Sequence, residues 1–200
     1  MMARVGFTLW VGLSIGACGG RQPLECKTIA PAKSSFEEER LLENYDVSAD
    51  SPEAYVTAAE KARPFEDPTG VGGLGLTESR WCTSWSLSVV DGECRVTAFQ
   101  LLHRVRITLP RWKRPATARS EWIEWDKSAG AKLTAHEEGH YAIADKAARA
   151  AYEQALGITQ AATCDELRAR MHSLLSEQQK LMNKKQVEYD EASQHGTVEP

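Results

Sequence analysis

A chain of 200 residues, 42% of them hydrophobic, is long enough for one domain with a real core. Its formal charge of −4 leaves no basic footprint, which excludes nucleic acid as a partner. No stretch after residue 17 is apolar for long enough to cross a bilayer, which takes about 20 residues.

Taken in order, the chain opens with a positive residue, Arg4, and a short uncharged run from Val5 to Ile15. That pattern predicts a signal peptide over residues 1–17 rather than a spanning helix. Ile15-Gly16-Ala17-Cys18 resembles a bacterial lipobox. The resemblance implies cleavage before Cys18 and acylation of its thiol and new amino group. The expected location is therefore the cell envelope, with the chain lipid-anchored on the periplasmic side, or secreted if the lipobox is not used. Residues 18–40, with Pro23, Pro31 and the run Glu37-Glu38-Glu39, read as a tether to a single domain over 41–200.

Four cysteines follow Cys18, and an even number in an oxidising compartment predicts two disulfides with three possible connectivities. The expected pairs are Cys94–Cys164, tying sheet to helix, and Cys26–Cys82, tying the N-terminal arm to the sheet. No C-x-x-C spacing occurs, so a thiolate zinc site is not expected.

Within the domain, Leu41 to Val47 reads as a first short strand. Ser51-Pro52-Glu53 then places a cap, an N1 proline and an acidic first turn in order, starting a helix to about Arg63. Pro64 to Gly75 is loop. Trp81, Thr83, Trp85, Leu87 and Val89 alternate with polar residues as a half-buried strand, and Asp91-Gly92 signals a hairpin. The return strand sets Phe99, Leu101, Val105, Ile107 and Leu109 on one face. His103 shares that face as a core or rim residue rather than a ligand. Leu109 to Pro115 reads as a basic exit loop packed by Trp112. Ser120 caps a short segment whose Trp122 and Trp125 join the core, and Gly130 separates it from the next helix. That helix stops at Gly157. Thr163 starts a last helix lined by Leu167, Met171, Leu174, Leu175, Leu181 and Met182, with His172 on the surface.

The helix ending at Gly157 carries His136-Glu137-Glu138-Gly139-His140, an H-E-x-x-H pattern. On a helix, imidazoles four residues apart share one face and can share one Zn²⁺, while Glu137 projects beside the metal as a base for water. Leu133, His136, His140, Ile143, Ala144 and Ala147 recur at three- and four-residue steps, placing both imidazoles on the inward stripe. Gly139 costs the helix about 1 kcal/mol relative to Ala, so something packs closely there. Glu138 is expected on the exposed side.

A catalytic zinc needs a third protein ligand and one position for water. If the last two helices are antiparallel about the 157–163 connection, residues near 184 lie level with His136. His195 is the first choice, reached by a turn near Ser193 that Gly196 eases, with Asp190 second and Glu188 third. The competing reading makes residues 190–200 a frayed tail.

Several segments together resemble the bacterial domain-of-unknown-function 922 family, described as predicted secreted zinc-dependent proteases. They are Tyr45-Asp46-Val47-Ser48, Trp85, Gly92-Glu93-Cys94-Arg95-Val96, Leu109 to Trp112, Glu121-Trp122, the H-E-x-x-H segment, Cys164 with Leu167, and Tyr189-Asp190-x-x-Ser193-x-His195-Gly196. The resemblance implies one α+β domain, roles for Asp190 and His195, and a bond between Cys94 and Cys164. Ser193 stands where the family usually has Thr, which keeps the hydroxyl. Cys26 and Cys82 lie outside the pattern, so their pairing rests on counting.

The expected architecture is α+β, a small antiparallel sheet packed with the H-E-x-x-H helix and a long antiparallel C-terminal helix. The expected function is that of a zinc metallopeptidase acting on peptide or protein substrates in the envelope. His136, His140 and His195 hold Zn²⁺, Glu137 is the base, and Asp190 orients a ligand imidazole or replaces a ligand. The alternative is a non-catalytic envelope lipoprotein whose zinc site is structural or vestigial and which works as a binding module.

Overall fold

The structure is a computed structural model and describes residues 7–8, 23–26, 30–65 and 73–194. The architecture is α+β, with three helices on a mixed sheet. The strands are β1 (Phe7–Thr8), β2 (Ser35–Ser48), β3 (Leu76–Val90), β4 (Glu93–Lys113) and β5 (Gln160–Ala161). The helices are α1 (Pro52–Ala62), α2 (Ser120–Leu156) and α3 (Cys164–Ala192). The sheet order is β1-β3-β4-β2, with β5 pairing β4 at the Cys94 end.

The sheet departs from the expected all-antiparallel one because β2 runs parallel to β4 along its whole length. Its acid-rich start, read as tether, is strand because the opposite strand is basic or amidic. Gln100 donates to Glu37 at 2.8 Å, Arg104 clasps Glu39 at 2.8 Å, and Arg111 reaches Asp46 at 2.7 Å. Opposite charges facing across strands support pairing that hydropathy alone does not announce. The same pairing turns the expected exit loop into strand, since β4 runs through Pro110 to Lys113 beside Tyr45 to Ser48. Pro110 is tolerated because β3 pairing stops at Thr108, leaving β4 one neighbour there.

Asp91 and Gly92 both have positive φ, 53° and 83°, which suits a two-residue hairpin turn. Burial on β3 is not confined to one face, because Cys82 and Ser84 are buried along with Trp81, Thr83 and Trp85. Residues 23–26 and 30–34, also expected as tether, cover that second face. Cys26 is bonded to Cys82, Ser86 donates to the Pro31 carbonyl at 2.9 Å, and the Phe99 amide donates to Ser34 at 3.0 Å. Phe7–Thr8 lie antiparallel on β3 at Ser84 and Trp85, within the stretch read as signal peptide. A chain processed before Cys18 would lack that short strand.

α1 begins as expected, with Ser51 accepting from the Ala54 amide and proline in the first turn. α2 corrects two expectations. Arg119, not Ser120, is its N-cap, and Gly130 does not break it. Thr134 donates to the Gly130 carbonyl at 2.8 Å, and one glycine in a helix of 37 residues costs only about 1 kcal/mol. Trp122 and Trp125 pack partly buried against Tyr45, Val47, Tyr55 and Trp112.

α3 starts from Thr163, whose side chain accepts from the Glu166 amide. It packs antiparallel to α2, with Gln178 meeting Gln154 near one end and Gln186 meeting His140 further along. Ala144, Ala148, Ala151 and Ala155 are at most 1% exposed, so small side chains let the helices close on Leu167, Met171, Leu175 and Met182. Leu181, expected on that stripe, is exposed because it follows the buried row by one residue too few. His172, expected on the surface, is half-buried, its ring meeting Trp85 edge-on at 5.4 Å.

Both expected disulfides are present, Cys26–Cys82 and Cys94–Cys164. They indicate an oxidising, extracytoplasmic location. Among the described residues no helix is long and apolar enough to cross a membrane. Cys94–Cys164 closes 70 residues and pins the start of α3 to β4. The double variant C94A/C164A should lose about 3–4 kcal/mol in urea unfolding. C26A/C82A should lose less, because only the segment over the outer face of the sheet is released.

Candidate metal centre and its supports

The inward stripe of α3 changes character after Met182. Gln186, Tyr189, Asp190 and Ser193 continue the three- and four-residue spacing of the buried row and face the start of the α2 stripe, His136 and His140. One end of the seam is hydrocarbon, the other polar.

Three donor atoms converge there. His140 Nε2 lies 3.1 Å from His136 Nε2 and 2.9 Å from Asp190 Oδ1, and His136 Nε2 lies 3.3 Å from the same oxygen. The outer ring nitrogens decide what those inner atoms carry. Gln186 donates through Nε2 to the His140 carbonyl at 3.0 Å, which turns its Oε1 to His140 Nδ1 at 2.5 Å. An amide oxygen only accepts, so Nδ1 of His140 carries a proton and, in the neutral ring, Nε2 presents a lone pair. Ser193 Oγ lies 3.2 Å from His136 Nδ1 and 3.4 Å from the Asp190 carbonyl, and so holds the outer nitrogen of the second ring. Two imidazole Nε2 atoms and a carboxylate oxygen face one another, a donor set that a shared cation can hold together.

Zinc fits this donor set. Two imidazoles and a carboxylate are among its usual catalytic ligands, and bonds of about 2.0–2.2 Å set tetrahedral ligand atoms roughly 3.3 Å apart. Outer partners that fix ring tautomers are a general feature of such sites.

Glu137 is 4% exposed on the flank of α2 towards β3. Thr77 donates to its Oε2 at 2.6 Å and is 3.1 Å from its backbone oxygen. Gly75 lies so close that a Cβ there would stand 2.9 Å from Glu137 Cγ and Cδ. Burial raises the Glu137 carboxyl above its ordinary range, against the Thr77 hydrogen bond and the nearby His140, which lower it. A carboxylate tuned upward is a better proton acceptor near neutral pH.

Gly139 admits the Tyr189 ring, since a Cβ at 139 would overlap the phenol. Glu138 is half-exposed and ion-paired with Arg40 of β2. Glu188 points away from the cluster and pairs with Lys184 at 3.5 Å. Cys18 and His195 lie outside the described residues. The expected level of α3 was off by more than a turn, because the 157–163 connection pairs β5 with β4 instead of turning symmetrically. Asp190 and Ser193, not residues near 184, therefore stand beside His136.

Gln186, Tyr189 and Thr77 received no specific role from the sequence. Gln186 and Tyr189 were legible in principle, as polar residues occupying a stripe that was apolar until Met182. Thr77 and Gly75 carry no such signal, since only the packing of β3 on α2 brings them to Glu137.

A second grouping, Glu38, His103 and Asp145, has metal-like composition but supplies its own cation. Arg149 holds Asp145 at 2.9 Å and Glu38 at 3.2 Å, and Tyr141 donates to Glu38 at 2.7 Å. His103 is fully buried, hydrogen-bonded to Ser79 at 3.0 Å, with its pKa lowered by burial. It is a core residue.

No curated protein and no solved structure matches this chain. A family model does match, over residues 42–196, a span that takes in the second half of β2, both long helices and every member of the cluster described above. The chain belongs to the family described as bacterial protein of unknown function, DUF922.

Proposed function

We propose that this protein is a zinc-dependent metallopeptidase that hydrolyses peptide bonds in the cell envelope. The observation that carries the reading is the convergence of His136 Nε2, His140 Nε2 and Asp190 Oδ1, beside a buried carboxylate that stands outside the donor set. His136, His140 and Asp190 would hold the metal. Bound zinc supplies a Lewis acid for the scissile carbonyl and lowers the pKa of water towards about 7.

The chain's own residues then have separate tasks. Gln186 keeps His140 protonated at Nδ1 and Ser193 holds His136 at its Nδ1, so that each Nε2 is turned to the metal. Thr77 holds Glu137 through Oε2, leaving Oε1 to take a proton from the attacking water. Glu137 returns that proton to the amine nitrogen as the C–N bond breaks. The water oxygen remains on the new carboxylate, which balances the hydrolysis.

Location follows the same reading. The two disulfides fit the periplasm, and anchoring through acylated Cys18 would hold the domain at a membrane surface. In the C18A variant the protein should leave the membrane fraction and lose the mass of the acyl groups. A variant that stays membrane-bound at unchanged mass refutes the anchor.

E137Q should bind one zinc per chain as the wild type does and lose about 10²–10⁴-fold in cleavage of a peptide library. Full activity in E137Q would remove Glu137 from the mechanism. D190A should lower zinc affinity by at least tenfold, read by competition with a chromogenic chelator, while H195A keeps it. The opposite pattern would make His195 the third ligand.

A further inference from the structure

We infer that Tyr189 is a positioning residue whose ring, admitted to the surface of α2 by Gly139, fixes the orientation in which His136 and His140 meet Asp190. The inference rests on the zinc reading of this cluster and not on peptidase activity.

Three rings meet at this point. The Tyr189 ring stacks on the His136 imidazole, 5.2 Å between centroids and 16° between planes. It meets His140 edge-on at 5.0 Å and 81°. The two imidazoles are themselves perpendicular, at 4.6 Å and 83°. A flat ring lying parallel to the His136 imidazole blocks rotation about its Cβ–Cγ bond, because turning the ring would drive an edge into the phenol face. Ser193 restrains the same imidazole from Nδ1. His140 is held by Gln186 on one side and by the Tyr189 edge on the other.

The lock needs the bare backbone of Gly139. A Cβ at that position would overlap the Tyr189 hydroxyl and stand 2.8 Å from its Cε1. Glycine is the poorest helix former apart from proline, so its place inside H-E-x-x-H calls for a reason that propensity does not supply. Close seating of the phenol is such a reason. Tyr189 also precedes Asp190 on α3, so displacing the ring from α2 shifts the carboxylate with it. Ring orientation and carboxylate position are thereby set by one contact.

The test compares the wild type with Y189F, Y189L, Y189A and G139A. Zinc affinity is read by chelator competition, and the visible absorption of the Co²⁺-substituted protein reports coordination geometry. Far-UV circular dichroism shows which variants are folded. Y189F keeps the flat ring and should stay within about threefold of the wild type with an unchanged cobalt spectrum. Y189L, which fills space without a flat face, and Y189A should weaken zinc about 10–100-fold and alter the spectrum. G139A should behave as Y189A does, and the double variant G139A/Y189A should be no worse than either, since both remove one contact. Wild-type affinity and spectrum in folded Y189L and Y189A would overturn the inference while leaving the zinc site standing. Loss in Y189F equal to that in Y189A would assign the role to the hydroxyl and overturn it as well. A wild-type chain that binds neither metal would overturn the zinc reading itself, and the inference with it.

Discussion

Convergence of three ligand-type atoms from two helices is the constraint around which this molecule is arranged. Two imidazole nitrogens and a carboxylate oxygen stand 2.9–3.3 Å apart in a partly buried seam, where charges and dipoles act more strongly than in water. No local preference of the chain would bring them together. The scaffold has to hold them, and it uses two rigid helices to do so. α2 sets the two histidines one turn apart, and α3 delivers Asp190 from the other side.

What keeps the helices in register lies at the other end of the seam. Alanines on α2 let the α3 backbone approach, Leu167, Met171 and Leu175 fill the space, and Cys94–Cys164 ties the first residue of α3 to β4. A helix is stiff, at 1.5 Å of rise per residue, so register fixed near Ala151 is carried along to His136. The apolar half of the seam supplies stability, and the polar half spends none of it on exposed hydrocarbon. Beyond Met182 the contacts that hold α3 to α2 are those of the site: Gln186, Tyr189, Asp190 and Ser193.

The sequence made the periodic parts of this arrangement legible and hid the parts that depend on partners distant in the chain. The H-E-x-x-H spacing, the Ser51 and Thr163 caps, the Asp91-Gly92 turn and the even cysteine count each express local chemistry, and each has its counterpart in the structure. The first half of β2 and the parallel pairing of the whole strand were missed because their signal is not alternation of hydropathy but complementarity to Arg104 and Arg111, more than sixty residues away. Pro110 misled for a related reason, since a proline is forbidden only where both sides of a strand are paired. Asp190 could be named only as second choice after His195, because its level beside His136 depends on how β5 uses the 157–163 connection.

Burial of Glu137 is the feature that folding alone does not account for. On a helix, Glu137 leaves the axis about 100° from His136 on one flank, and Gly139 about 60° on the other. The Gly139 flank is closed by Tyr189, which serves the geometry of the ligands. The Glu137 flank is closed by Thr77 and Gly75, which lie against the carboxylate. A zinc site that merely tied α2 to α3 would be complete with the two imidazoles, Asp190 and their outer partners. It would gain nothing from an adjacent acid whose burial raises its pKa and costs desolvation that one hydroxyl offsets only in part. On the proposed reading such a group is kept beside the ligands because a proton has to be accepted there, a task that a hydrolytic centre sets and a structural one does not.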